Sequence, residues 1–123
     1  MENVEHFGVH GEFYTDERCY ITELHNTDAD QDCSIARARV EPGVTTRLHR
    51  LEGTIERYVI LEGMAEVRVG SAGPVAVQPL DVVNIPANAE QCIRNTGQGD
   101  LVFLCICTPR FRQQNYVVLD ESL

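Results

Sequence analysis

Turn signals punctuate this chain about every ten residues, and that spacing confines it to short elements. The signals are Glu41-Pro42-Gly43, Glu52-Gly53, Glu62-Gly63, residues 70–74, Pro79, Pro86-Ala87-Asn88, residues 95–99 and Pro109. Glycine, proline and asparagine supply the backbone angles that turns require. Between the signals lie segments rich in Val, Ile, Thr, Cys and Leu: 19–25, 33–40, 45–50, 55–61, 65–70, 74–78, 81–86, 91–95 and 101–108. Many short β-prone segments at this spacing predict an all-β antiparallel sandwich or barrel. Helix signals are weak. The tail after Pro109 reads RFRQQNYVVLDESL, where Asn115 and the Val pair disfavour a helix. A short terminal helix and an extended arm both stay open there.

At 123 residues, with 43% apolar and 24% charged side chains, the composition is that of one globular domain spanning 1–123. A chain of this size buries roughly two thirds of its unfolded surface, enough for a core without staples. The longest apolar run, 101–107, falls far short of the roughly 20 residues that span a bilayer. The first residues carry no basic start and no apolar stretch, so a secretory leader is not expected. The net charge of −9 disfavours nucleic acid and anionic membrane surfaces as partners. Cys19, Cys33, Cys92, Cys105 and Cys107 are odd in number and form no C-x-x-C pair, which fits free thiols in a reducing cytoplasm. Cys105 and Cys107 are two apart on a strand and should share a face.

Two spaced patterns carry more. Gly43, His49, Glu56 and Gly63 follow one another at intervals of six, seven and seven residues. Further on, Pro86 and Asn95 bracket Asn88 and Gln91. Both patterns resemble the motifs of the cupin superfamily. In the first motif, Leu51 stands where the family has its second histidine. In the second, Leu80 and Asn88 stand at glycine positions and Gln91 at the third histidine. Asn88 can still adopt the left-handed turn geometry of a glycine. The resemblance covers roughly residues 33–108. It implies a double-stranded β-helix (jelly-roll) barrel over about 15–110 with N- and C-terminal arms. Fold alone does not fix function.

The resemblance further implies a divalent metal (Mn, Fe, Ni or Zn) inside the barrel, held here by His49, Glu56 and Gln91, since Leu51 can donate nothing. A metal-free pocket in which Gln91 bonds Glu56 or His49 is the competing expectation. Strand parity puts Arg47 on the face of His49, where it would clamp an organic anion, and Tyr58 on the face of Glu56 as a pocket wall. Leu51 joins Arg47 and Tyr58 in the expected substrate set. His49, Leu51, Glu56 and Gln91 should converge in one cavity, lined otherwise by apolar residues such as Ile60 and Ile93. His25 could reach the barrel mouth, and Glu52 could substitute as a ligand. Arg37 and Arg39 share a face that is either a second anion clamp or a set of ion pairs. The expected ligand is a small polar or anionic metabolite. The protein is then either a metal-dependent enzyme acting on sugar acids or keto acids, or a non-catalytic ligand-binding module. Apolar outer positions Val59, Leu61, Val102 and Leu104 suggest a homodimer.

Overall fold

A computed structural model describes residues 3–120. Two antiparallel sheets pack face to face. The first has six strands in the order β1-β2-β3-β10-β5-β8, and the second has five in the order β11-β4-β9-β6-β7. The strands are β1 (Phe13–Tyr14), β2 (Tyr20–His25), β3 (Ser34–Val40), β4 (His49–Leu51), β5 (Ile55–Glu62), β6 (Ala65–Val69), β7 (Val75–Val77), β8 (Val82–Ile85), β9 (Gln91–Asn95), β10 (Leu101–Thr108) and β11 (Tyr116–Val118). The all-β double-stranded β-helix barrel expected from the sequence is the architecture observed. Among the described residues no helix is long and apolar enough to cross a membrane.

Alternation decides which side chains meet. Along β5, Glu56, Tyr58 and Ile60 turn inward and are buried, while Arg57 and Val59 are only half-buried. Val40, Ile60, Ile85, Ile93 and Leu101 are almost fully buried between the sheets and form the apolar floor of the barrel. Fully burying each such side chain stabilises the fold by about 1.5–3 kcal/mol.

The turns follow the punctuation of the sequence. Gly63 has φ +92°, and a Cβ there would stand 2.8 Å from the Asp100 carbonyl oxygen, so only glycine fits between β5 and β6. Asn88 has φ 69°, the left-handed geometry expected of it. Leu80 also has φ 75°, an unfavourable conformation for a leucine, and its side chain is exposed.

The expected strand at 45–50 is shorter than its pattern suggested. Residues 43–46 bond irregularly to β9: the Gly43 amide to Asn95, Asn95 to Val44, and Thr46 to Ile93. Regular pairing returns only at His49, opposite Gln91. At the break, the Arg47 amide donates to the Glu17 carbonyl, and the Leu48 carbonyl accepts from Leu119 and Asp120. Both arms are therefore tied to the same break. The tail after Pro109 is neither a terminal helix nor a free arm. It makes one turn of 3-10 helix, Gln113–Asn115, and then β11, which pairs with β4.

Candidate functional site

The inner faces of the two sheets enclose a cavity of about 590 Å³. It exists because the first sheet is paved there with small side chains. Register puts Ser34 and Ala36 of β3 beside Cys107 and Cys105 of β10, which in turn face Glu56 and Tyr58 of β5. Cys105 and Cys107 do share a face, and both line the cavity as free thiols. Burial and the nearby Glu56 carboxyl push both thiols well above the ordinary range.

His49, Leu51, Glu56, Tyr58 and Arg47 all line the cavity. His49 is 3% exposed. Its Nδ1 donates to the Arg47 carbonyl at 2.7 Å, which fixes that nitrogen as an N–H. Its Nε2 lies 3.3 Å from Oε2 of Glu17, and its ring stacks on Tyr116 with centroids 4.9 Å apart. Burial raises the Glu17 carboxyl above its usual range, although His49 draws it partly back.

Glu56 is 7% exposed, and its Oε1 has no hydrogen-bond partner among the described residues. Burial first, then repulsion from Glu17, pushes its carboxyl up to about 8. The Gln91 amide and the two thiols pull the other way, yet none meets Oε1 in hydrogen-bonding geometry. The Tyr116 hydroxyl, Nε of Arg47 and Oε2 of Glu23 are likewise buried without partners, and all four residues line the cavity. Groups of this kind cost free energy unless something meets them.

Several residues of the expected site lie outside the cavity or are engaged by other groups. Gln91 is buried and is not among the residues that line the cavity; the Tyr58 hydroxyl donates to its Oε1. Ile60 and Ile93 lie in the core and also do not line the cavity. Glu56 Oε1 has no partner among the described residues, while the Gln91 amide stands close enough to draw the carboxyl down; the carboxylate beside His49 is Glu17. Arg47 gives Nη2 to the Asp120 carbonyl at 2.6 Å, so its fork is not open as a two-pronged clamp. His25 lies outside the cavity between Glu5 and Asp30. Glu52 is exposed and pairs with Arg50. Arg37 and Arg39 share the ion-pairing face, held by Glu12, with Asp100 also on Arg39. Among the outer apolar positions, Leu61 is exposed, but Val102 is already buried.

Neither motif nor spacing marks Glu17 or Tyr116 as a site residue. Glu17 arrives on an irregular segment that no periodicity marks. Tyr116 had a signal, since Tyr-Val-Val is strongly β-prone.

The residues do not suit a divalent metal as a set. The oxygen of Gln91 already accepts from the Tyr58 hydroxyl, and Leu51 occupies the position of a further ligand. Among the described residues no three His, Cys, Asp or Glu side chains are grouped to hold a cation.

Residues 36–107 match the family described as cupin domain. A predicted oxalate decarboxylase from Thermotoga maritima superposes with TM-score 0.71 at 26% identity, over 80% of this chain and 90% of that one. KdgF from a Halomonas species gives TM-score 0.77 at 14% identity, over 89% and 96%. The nucleoside dehydratase Pac13 gives 0.81 at 13% identity, over 98% and 92%, and a Streptomyces form of Pac13 has been solved with uridine. A comparison with curated proteins finds no match.

Proposed function

Because the chain belongs to the cupin domain family, we propose that it binds a small polar metabolite inside its barrel and acts on it by proton transfer. The observation that carries this reading is Glu56: a buried carboxyl with an unpartnered oxygen, in the same cavity as a histidine whose Nε2 faces a second carboxyl. His49 with Glu17 can accept a proton through Nε2. Glu56, kept protonated by burial, can deliver one. Tyr116 and Leu51 wall the imidazole, and the Tyr116 hydroxyl and Nε of Arg47 offer donors to the bound molecule. An acid and a base in one cavity suit isomerisation or elimination, and one solved structural neighbour is named as a dehydratase. Sugar acids and keto acids, the substrates suggested by Arg47 as an anion clamp, would share that arginine with the Asp120 carbonyl.

Incubation in D2O with a panel of keto acids, sugar acids and uridine tests the reading. Proton NMR should show deuterium entering at least one compound, and His49→Ala should abolish it. Binding without exchange would leave the non-catalytic module, and no binding at all would sink the proposal. Elemental analysis of the purified protein addresses the alternative of a metal on His49, Glu56 and Gln91: a stoichiometric divalent ion would replace the acid–base account. We further propose a homodimer through Val59, Leu61 and Leu104; a sedimentation mass of 13.8 kDa at micromolar concentration would refute it.

A further inference from the structure

The cavity holds more carboxyls than cations. Asp16, Glu17, Glu23 and Glu56 line it, against Arg47 and His49. The chain contains no lysine, so arginine is its only permanent side-chain cation. Four of the arginines are engaged by other groups: Arg37 and Arg39 by Glu12 on the outer face, Arg110 by Asn26 and Asp28, and Arg47 by the Asp120 carbonyl. Among the described residues no arginine or histidine lies within ion-pair distance of Glu23 or Glu56.

The sheet sets the spacing of these two carboxyls. Glu23 of β2 is paired with Ala36, Ala36 with Cys105, and Cys105 with Tyr58, two residues from Glu56. Three strand spacings, about 14 Å, therefore separate the β2 and β5 walls. Small side chains pave the interval. Aromatic rings surround it: Phe13, Tyr58, Phe103, Phe111 and Tyr116. Rings of this kind attract a cation to their faces and offer apolar surface to its body.

We propose that the cavity selects a ligand bearing a protonated amine, with the nitrogen seated at Glu56 and the apolar body against the surrounding rings. The inference rests on the reading of the cavity as a small-molecule site and names its substrate class. The unpartnered Oε1 of Glu56, 7% exposed and lining the cavity, is the acceptor that such a nitrogen meets. In the empty cavity burial keeps Glu56 protonated; passing that proton to the neutral amine leaves a carboxylate and an ammonium that supply each other's counter-charge. An anion would instead bring its charge against four carboxyls, with one partly engaged arginine and His49 to offset them.

Three probes of one shape separate the alternatives: benzylamine, benzyl alcohol and benzoate, titrated into the full chain near neutral pH and followed by amide NMR. Benzylamine should shift resonances of β5 and β10 and bind at least tenfold more tightly than either of the others. Glu56→Gln should bring it down to the alcohol's affinity while the remaining spectrum keeps its dispersion. The selectivity of the unsubstituted protein reads out even if that variant fails to fold. Equal or tighter binding of benzoate or the alcohol overturns the amine class while the small-molecule cavity stands. Failure of all three to shift any cavity resonance overturns both.

Discussion

Asn95 shows how a motif residue can serve the fold rather than the site. It is 1% exposed. Its Nδ2 donates to the Val40 and Gly99 carbonyls at 2.9 and 2.8 Å, and its Oδ1 accepts from the Gly97 amide at 2.9 Å. One side chain thus ties β9 to the end of β3 and closes the loop into β10. Asn95→Leu keeps the volume but leaves three backbone groups without partners. It should cost about 2–4 kcal/mol, read as a lower urea midpoint; a change below about 0.5 kcal/mol would show that water replaces all three bonds. At this scale much of the site was legible. His49, Leu51, Glu56 and Tyr58 line the cavity because parity and motif spacing agree on which way each faces. Gln91 also faces inward, but parity says nothing of depth, and it is buried against the Tyr58 hydroxyl and the Glu56 carboxyl without lining the cavity.

Among elements, the nine β-prone segments all correspond to strands, with differences at their ends. The segment at 45–50 departs furthest, because the Arg47 amide and the Leu48 carbonyl bond to the two arms instead of to a neighbouring strand. Those arms account for what the sequence did not disclose. β11 pairs with β4 across more than 60 residues of chain, and Glu17 reaches His49 from a stretch without hydrophobic period. Local pattern reports propensity and facing. Which distant segment covers an exposed strand edge depends on the assembled sheet, so Tyr116 and Glu17 became visible only in the fold. The N-terminal contact also explains the partner of His49: once the Arg47 amide is tied to the Glu17 carbonyl, the Glu17 side chain is delivered beside the imidazole.

Across the whole molecule, the barrel encloses more carboxyls than cations. Burial raises Glu56 to about 8, and Glu17 and Glu23 in the same direction. The groups facing Glu56 are Glu17, Gln91, Cys105 and Cys107, and none carries a positive charge. A folded-state pKa above the unfolded value of 4.5 means that the folded chain holds its proton while the unfolded chain releases it. The associated stability is fully present below about pH 4.5 and is lost as pH rises toward 8. The most direct test is chemical denaturation of the wild type and Glu56→Gln at a series of pH values from 4 to 9. The amide cannot ionise, so the variant lacks this loss, while Glu17 and Glu23 leave a smaller slope of the same sign. The account predicts that the variant gains on the wild type progressively between pH 5 and 8, by on the order of 4 kcal/mol at about 1.4 kcal/mol per pH unit. A stability difference that stays constant across that window would contradict it, because Glu56 would then be solvated or paired and the cavity would not contain the unpartnered buried carboxyl on which its chemistry depends.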